Sequence, residues 1–262
     1  MSKTYETLLV ERDQGVTTIT LNRPELHNAF NEKMIAELGK AFAQFGKDAD
    51  TRVLVLTGAG ESFCAGADLN WMKKVAAYTP AQNKADAMGL HKMLLAIHRC
   101  PKPVIALVNG AAIGGGTGLI AAADMAYAEE SAMFGFSEVR LGLIPAVISP
   151  FVIRKIGESN AREFFLTGER FSAAKAQEMG LVQFHGSADF VREKTQHKIR
   201  QLKQGGPTAL ADCKALIEKV AGQPLDKVGG YTSGQIAKRR GSTEGKEGMV
   251  AFLTKRKPEW CA

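Results

Sequence analysis

A strand, a glycine-rich turn and a buried helix follow one another in the middle of the sequence, and this segment limits the possible folds more than any other. Pro103-Val-Ile-Ala-Leu-Val108 is a continuous apolar run, which is typical of a buried strand. Gly114, Gly115 and Gly116 come next, and the small apolar residues 119–123 fit a buried helix. Glycine lets another group approach the backbone closely, and the first N–H groups of a helix lack intrahelical partners. The segment therefore predicts a turn that binds an anion or a developing negative charge, or else a turn that only packs a helix against a strand.

A second turn of small residues mirrors the first. Val53-Leu-Val-Leu-Thr-Gly58 is another buried strand, and Phe63-Cys-Ala-Gly-Ala-Asp-Leu69 follows it after a short loop. If the two strands are parallel neighbours, both turns lie at the same edge of the sheet. Backbone N–H groups from the two turns then converge on a single oxygen, which is the geometry of an oxyanion hole.

The order of elements predicts an α/β fold with a largely parallel sheet, because strands and helices alternate up to residue 136. Strands are predicted at 8–12, 15–22, 53–58, 103–108, 125–128, 132–136 and 181–184, and helices at 31–45, 80–99, 119–123, 153–156, 161–166, 173–178, 190–202, 208–220 and 235–253. The end of the chain is therefore all helical. We place a domain boundary at the helix-breaking Gly205-Gly-Pro207, which divides the chain into 1–204 and 205–262.

Composition is that of an ordinary soluble globular protein: 262 residues, 45% of them hydrophobic and 23% charged. No apolar run approaches the ~20 residues that a membrane helix needs. The first residues lack the apolar core of a signal peptide, so we expect a cytoplasmic protein. Four cysteines show no paired spacing, which favours free buried thiols over disulfides or a metal site: Cys64, Cys100, Cys213 and Cys261.

The net charge of +7 favours anionic partners, and both nucleic acid and a phosphorylated ligand qualify. The basic surplus is densest at Lys238-Arg-Arg240 and Lys255-Arg-Lys257. Such runs are usually solvated helix faces. Because no basic motif is interleaved with aromatic residues, the sequence disfavours nucleic-acid binding as the main function.

Glu138 is the carboxylate most suited to proton transfer. It stands in an otherwise apolar neighbourhood, where its pKa would be raised, as a general acid or base requires. The alternative is a surface glutamate, or one paired with Arg140. His91 and His98, on the predicted helix 80–99, are expected to be surface or partly buried residues rather than catalysts.

In this order and spacing, these segments resemble the crotonase family, the enoyl-CoA hydratase/isomerase superfamily. The matching segments are 21–24, 63–69, 108–116, Asp124, Glu138 with Gly142 and Pro145, 166–171 with Ala173 and Ala176, 180–182 and 252–257. The resemblance implies a spiral of stacked ββα units followed by a C-terminal helical trimerisation module. It also implies a trimer or a dimer of trimers, and an acyl-CoA thioester as ligand. Coenzyme A is then part of the substrate, and neither a separate cofactor nor a metal is implied.

The resemblance also assigns roles to residues. The oxyanion hole maps onto the backbone N–H groups of Ala67 and Gly115, and Glu138 maps onto a catalytic glutamate. The segment 25–29 and Lys255, in Phe252-Leu-Thr-Lys255, map onto CoA contacts, and Lys255 could serve the ligand of a neighbouring subunit. The full set of expected substrate- and CoA-binding residues is Glu25, His27, Ala29, Ala65, Asp68, Leu69, Asn70, Gly114, Gly118, Phe252 and Lys255.

One departure from the family pattern bears on the reaction. Many hydratases of this family carry two glutamates, and Gly118 stands at the position of the first. A single carboxylate can hydrate a double bond through one bound water, or can shuttle a proton between two carbons as in an isomerase. An inactive relative is also conceivable, but the intact set of Ala67, Gly115 and Glu138 argues against it.

A finer resemblance favours the hydratase. Residues 137–151, 157–158 and 247–260 look like those of bacterial 3-methylglutaconyl-CoA hydratases of leucine breakdown, and equally like those of isohexenylglutaconyl-CoA hydratases. Such substrates carry a distal carboxylate. Lys73, Lys74 and Arg140 are candidate cationic partners for it by position.

Overall fold

The computed structural model describes residues 5–261. The strands are β1 (Leu8–Asp13), β2 (Val16–Leu21), β3 (Val53–Gly58), β4 (Ser62–Cys64), β5 (Val104–Val108), β6 (Ala111–Ile113), β7 (Met125–Glu129), β8 (Met133–Gly135), β9 (Arg170–Ser172) and β10 (Phe184–Gly186). The α-helices are α1 (Glu32–Phe45), α2 (Leu69–Ala76), α3 (Pro80–His98), α4 (Gly115–Ala122), α5 (Ser149–Thr167), α6 (Ala173–Glu178), α7 (Ala188–Gln204), α8 (Pro207–Val220), α9 (Leu225–Gly241) and α10 (Thr243–Leu253). Short 3-10 turns span Pro24–Leu26, Ser137–Leu141 and Glu259–Cys261.

The larger sheet has the order β1-β2-β3-β5-β7-β10. Only β1 and β2 are antiparallel, and β2, β3, β5, β7 and β10 run parallel. The central strands β3 and β5 are almost wholly apolar and buried, as expected of strands covered on both faces. The predicted α/β fold with a largely parallel sheet is confirmed.

A smaller sheet has the strand order β4-β6-β8-β9, and its strands β4, β6 and β8 alternate in sequence with strands of the larger sheet. After β3, β5 and β7 the chain continues within a few residues into β4, β6 and β8, and helical structure follows each pair. This repeated ββα path is the predicted spiral. The three-residue strands β4 and β6 were not predicted, because so short a strand shows no periodicity and a turn had been expected at both places.

Two element predictions are wrong. The strand predicted at 181–184 lies later, at β10. Leu181 and Val182 instead donate their N–H groups to Ala176 O, at 2.9 and 3.3 Å, in the turn that ends α6. The single helix predicted at 235–253 is two helices, α9 and α10. Ser242 separates them in an extended conformation, and its hydroxyl caps α10 by accepting from Gly245 N at 3.0 Å.

Further details differ from the prediction. Helix α2 and strand β9 were missed, and α9 begins at Leu225, before the predicted start at residue 235. The segments 153–156 and 161–166 belong to one helix, α5, which is kinked at Gly157 with φ of 75°. All four cysteines are free, but only Cys64 and Cys100 are buried; Cys213 is exposed and Cys261 partly so.

The C-terminal helices α8, α9 and α10 begin where the sequence placed a boundary, since α7 ends at Gln204 and α8 starts at Pro207. Arg52 joins this region to the sheet by donating to Gly205 O at 2.7 Å and to Trp260 O at 2.9 Å. Several large apolar side chains on α9 and α10 are exposed, among them Leu225, Phe252 and Leu253. Across residues 5–261, every helix is too short or too polar to cross a membrane.

Candidate active site

The two turns of small residues lie side by side, because β4 and β6, which precede them, are parallel neighbours. The backbones approach so closely that side chains would not fit. A Cβ on Gly66 would lie 2.9 Å from Ile113 O, and a Cβ on Gly116 would lie 3.0 Å from Cys64 Cβ and closer still to Cys64 O. Glycine at these two positions therefore allows the two turns to converge.

Backbone hydrogen bonds to Phe30 fix the conformation of the first turn. Phe30 N donates to Gly66 O at 2.6 Å, and Phe30 O accepts from Asp68 N at 2.8 Å, so that Phe30 and Ala67 form a parallel bridge. In such a bridge the flanking residues bond to the partner, and the central residue directs its own N–H to the opposite side. The Ala67 N–H consequently points away from Phe30 and is available to a ligand.

The second turn supplies the Gly115 N–H. Gly115 is the first residue of α4, so its N–H has no carbonyl one turn earlier within the helix. Gly114 precedes it with φ of 54°, and Gly114 N donates to Gly135 O at 2.8 Å. The Phe30 ring packs against Gly115, where an added Cβ would lie 2.9 Å from Cδ2 and closer to Cε2. Phe30 therefore positions both turns at once.

Glu138 lies next to these turns, in the 3-10 turn Ser137–Leu141. Its Oε1 would be 2.9 Å from a Cβ on Gly114, so the carboxyl group packs against that glycine. Its Oε2 is buried and has no hydrogen-bond partner within the described chain. Burial raises the pKa of Glu138 above its usual range. The alternative, a pairing with Arg140, is not seen. Among the described residues Glu138 and Arg140 form no ion pair, and Arg140 is exposed.

Gly118 lies one turn along α4 from Gly114, and the space beside it is filled. A Cβ on Gly118 would lie 2.9 Å from Ile148 Cβ, closer still to Ile148 Cγ2, and 3.9 Å from Leu94 Cδ1. Ile148 is buried, directly before α5. The position of the family's first glutamate is thus occupied by hydrocarbon.

The loop that precedes α1 is fixed by Asn28, which is fully buried. Its Nδ2 donates to Ala59 O and Ser62 O, both at 2.8 Å, and its Oδ1 accepts from Arg23 N at 2.9 Å. His27 has φ of 50° and its carbonyl accepts from Ala65 N at 2.9 Å. The predicted ligand segment 25–29 is therefore bonded directly to the first turn.

Asp68 has a structural task in this arrangement. It accepts from Arg23 Nη2 at 2.7 Å, and it caps α2 by accepting from Asn70 N at 2.7 Å and Trp71 N at 3.3 Å. Burial works against the charged form, but the Arg23 hydrogen bond and the two N–H groups together lower the pKa of Asp68. Since these donors engage the carboxylate, Asp68 shapes the site rather than offering a free side chain to a ligand.

The structure brings most of the predicted residues together but not all. The two turns themselves contain Ala65, Ala67, Gly114 and Gly115. Gly118 and Glu138 lie next to the second turn. Leu69 and Asn70 follow the first turn at the exposed start of α2, where Leu69 is 74% exposed. Phe252 and Lys255 lie at the end of α10, which packs against α8 and α9, and Phe252 is 83% exposed. The contacts described within one chain do not join them to the turns.

The two histidines are partly buried, as predicted. The rings of His91 and His98 pack on Phe151, with centroids 6.0 and 5.7 Å away. Burial lowers the pKa of His98. Among residues 5–261, His, Cys, Asp and Glu side chains form no cluster of three or more that could hold a metal ion.

A separate cavity of about 750 Å³ lies at the other end of α4, against α8. Asp124 is on its wall. The Asp124 carboxylate accepts from Val104 N at 2.8 Å and Lys214 Nζ at 2.7 Å, and its carbonyl accepts from Lys155 Nζ at 3.0 Å. Asp124 therefore ties α5 and α8 to the start of β5, away from Gly114 and Glu138.

Comparison with known proteins agrees with this geometry. The family model of enoyl-CoA hydratase/isomerase matches residues 11–262. The chain belongs to this family. Members of the family are enzymes that act on enoyl-CoA, and the spiral described above is the crotonase fold.

Individual relatives cover both reaction types in the family's name. A crystal structure of an enoyl-CoA hydratase from Shewanella pealeana is 41% identical, with a TM-score of 0.95 over 98% of this chain and 97% of that one. The putative enoyl-CoA hydratase of Thermus thermophilus is 31% identical over 255 residues, 96% of this chain and 100% of the relative. The 1,2-epoxyphenylacetyl-CoA isomerase of Escherichia coli is 33% identical over 258 residues, 97% of this chain and 98% of the relative.

Three elements of the site escaped the sequence analysis: Phe30, Ile148 and the Arg23–Asp68 ion pair. Phe30 carries a weak signal, since it is a large apolar residue in the loop just before Asn31, the residue that caps α1. Ile148 and Arg23 lie in segments that match relatives, but their contacts could not be predicted, because these contacts join elements far apart in sequence.

Proposed function

We propose that the protein adds water to, or removes it from, the double bond of a branched 2-enoyl-CoA. The substrate that fits the sequence resemblance is 3-methylglutaconyl-CoA or isohexenylglutaconyl-CoA. The observation that carries the proposal is the position of Glu138, a half-buried carboxyl group packed against the turn that contains Gly115, with one buried oxygen that has no partner among the described residues.

In the hydration direction, the thioester oxygen accepts hydrogen bonds from the N–H groups of Ala67 and Gly115. The Glu138 carboxylate takes a proton from a water molecule as the water oxygen bonds to Cβ. The electron pair of the Cα–Cβ double bond shifts to join Cα to the thioester carbon, and the carbonyl π pair moves onto the thioester oxygen to give the enolate. Glu138 then returns that proton to Cα of the enolate on the same face. Each N–H aimed at the enolate oxygen contributes about 3 kcal/mol of transition-state stabilisation.

No cofactor takes part in these steps. Coenzyme A is a portion of the substrate, and Lys255 would bind one of its phosphates. Because Phe252 and Lys255 lie away from the turns within one chain, we propose that the homo-oligomer, a trimer or a dimer of trimers built through residues 205–262, brings Lys255 to a neighbouring subunit's ligand. The exposed Leu225, Phe252 and Leu253 support this use of α9 and α10. Light scattering on the wild type and on Phe252→Asp tests it, and a monomeric wild type would contradict it.

A second candidate is an enoyl-CoA isomerase that moves the double bond. It is favoured by the hydrocarbon at Gly118, because a site with one carboxylate and an apolar wall suits the transfer of one proton between two carbons by Glu138. Turnover in water labelled with oxygen-18 separates the two. Label in the product indicates hydration, whereas a shifted double bond without label indicates isomerisation.

The assignment of Glu138 is tested by Glu138→Gln, which keeps the shape of the side chain and removes its proton transfer. We expect turnover to fall by about 10²–10⁴-fold, with CoA-ester binding retained. Glu193→Gln, on the exposed face of α7, is the matched control and should stay active. Full activity of Glu138→Gln would remove Glu138 from the mechanism. A panel of 2-enoyl-CoA esters with and without a distal carboxylate tests the substrate class.

A further inference from the structure

Glu138 and Ile148 pack against two glycines that lie one turn apart at the start of α4. Gly114 and Gly118 are joined by a hydrogen bond, since Gly118 N donates to Gly114 O at 3.1 Å. The Glu138 carboxyl group covers the first position and the Ile148 side chain covers the second. One turn along α4 from the glycine that contacts the proposed acid/base, the backbone is therefore covered by a branched hydrocarbon.

Side chains at positions 118 and 148 exclude each other. The Ile148 Cβ itself is 2.9 Å from where a Gly118 Cβ would be, whereas carbon atoms in contact are about 3.5–4.0 Å apart. Because the overlap involves both Cβ atoms, neither a new rotamer nor truncation of Ile148 to alanine removes it. Only glycine at position 148 leaves room for a side chain at position 118.

Ile148 has little freedom to move away. It is 3% exposed, and its carbonyl accepts from Phe151 N and Val152 N, both at 3.0 Å, as α5 begins. Its backbone is thus held by the first turn of a helix. A carboxylate introduced at position 118 would have to displace a buried helix start.

We propose that Ile148 is a specificity-determining residue that holds this enzyme in single-carboxylate chemistry. It blocks a carboxylate at position 118 and keeps polar groups and a second ordered water away from that side of the site, so that Glu138 alone carries the proton. An acyl substituent on that side meets hydrocarbon. The inference rests on the proposed function, in which Glu138 is the acid/base.

The packing part is tested by a melting-temperature cycle that does not depend on activity. Gly118→Ala should lower the melting temperature, although alanine is the better helix former. Ile148→Gly should lower it as well. The double variant Gly118→Ala/Ile148→Gly should melt at least as high as Ile148→Gly alone. If Gly118→Ala is neutral in the wild type, or if the two effects add, the exclusion is refuted.

The specificity part is tested by product analysis with oxygen-18 water. Gly118→Glu alone should lose turnover, and Ile148→Gly should weaken it. In Gly118→Glu/Ile148→Gly, we expect the hydration rate to rise at least tenfold over Ile148→Gly, because a second carboxylate can then hold the attacking water. An unchanged product ratio and rate in that double variant would overturn the proposal. Ile153→Gly, at an exposed isoleucine in α5, the helix that Ile148 precedes, is the matched control and should keep the wild-type product ratio.

The two readouts separate this inference from the proposed function. A wild type that turns over a 2-enoyl-CoA ester, together with an additive melting cycle, would leave the function standing and refute the role of Ile148. A wild type that turns over no ester of the panel would overturn the proposed function, and the assignment of Ile148 to the reaction with it, whatever the melting cycle gives.

Discussion

The Arg23–Asp68 ion pair is expected to be among the most stabilising polar contacts near the site, and its removal gives a quantitative test. The side chains are only 14% and 6% exposed. Asp68→Ala removes two things: the cap of α2, which contributes about 1 kcal/mol, and the partner of a largely buried charge. Breaking a fully buried pair costs about 3–5 kcal/mol. Arg23 keeps some exposure and a hydrogen bond to Ala29 O at 2.7 Å, so we take about 2–3 kcal/mol for this part.

We therefore expect Asp68→Ala to lower the free energy of unfolding by about 3–4 kcal/mol, and Asp68→Asn, which can still cap α2, by about 2–3 kcal/mol. Urea unfolding followed by tryptophan fluorescence measures both, since the buried Trp71 lies in the capped turn. Glu158→Ala is the control, because its ion pair with Arg162 is fully on the surface and is worth about 1 kcal/mol or less. Losses in both Asp68 variants that are no larger than in Glu158→Ala would refute this account.

The remaining predictions concern the pH dependence, the Phe30 contact and a helix cap. The pKa of Asp68 is lower in the folded state than in the unfolded state. The Asp68 carboxylate therefore stabilises the fold at pH values above its unfolded-state pKa, and this stabilisation is lost as the pH falls through its folded-state pKa. The free energies of unfolding of the wild type and Asp68→Asn should therefore converge in acid. The folded-state pKa of Glu138 is raised, so stability is lost as the pH rises from 4.5 through the folded value; Glu138→Gln should melt higher than the wild type at neutral pH and remove that slope. Phe30→Ala should lower the free energy of unfolding by about 3–5 kcal/mol and reduce turnover in the folded fraction, measured by urea titration and by initial rates. Ser242→Ala should lower it by about 1 kcal/mol, and an unchanged urea midpoint would contradict the cap of α10.

The sequence predicted the features of the fold that local pattern controls. The apolar strands β3 and β5 and the glycine turn before α4 have signals that lie within a few neighbouring residues. Prediction from the sequence failed where a strong helical pattern concealed a weaker capping signal. The helical composition of 235–253 concealed Ser242, whose preference for a cap position decides where α9 stops and α10 starts. The apolar Leu181 and Val182 are buried by packing in a turn, which a sequence pattern does not distinguish from pairing in a sheet.

The site divides in the same way. Gly115 and Glu138 were candidates at the level of sequence, because one stands in a run of glycines, the other is a carboxylate among apolar residues, and the family resemblance points to both. Phe30 and Ile148 could not, because their roles exist only once α4 packs against the loop before α1 and the start of α5. For the same reason Gly118 was interpreted as a missing carboxylate, whereas the structure shows a position that another side chain has filled.

Stability and reactivity are assigned to different residues in this site. The proposed donors at Ala67 and Gly115 are backbone groups, and the turns that carry them are held by contacts that stabilise the fold: the Phe30 bridge, the Asn28 amide and the Arg23–Asp68 pair. Glu138 is the opposite case, because a buried carboxyl oxygen without a partner destabilises the charged form. An enzyme can retain such a residue only if the surrounding elements are rigid enough to keep cations and bulk water away from it. Ile148 belongs to that surrounding, because it is fixed by the first turn of α5 and packs one turn of α4 away from the glycine that Glu138 contacts. Loosening it should reduce both the destabilisation of the Glu138 carboxylate and its usefulness as the proposed acid/base.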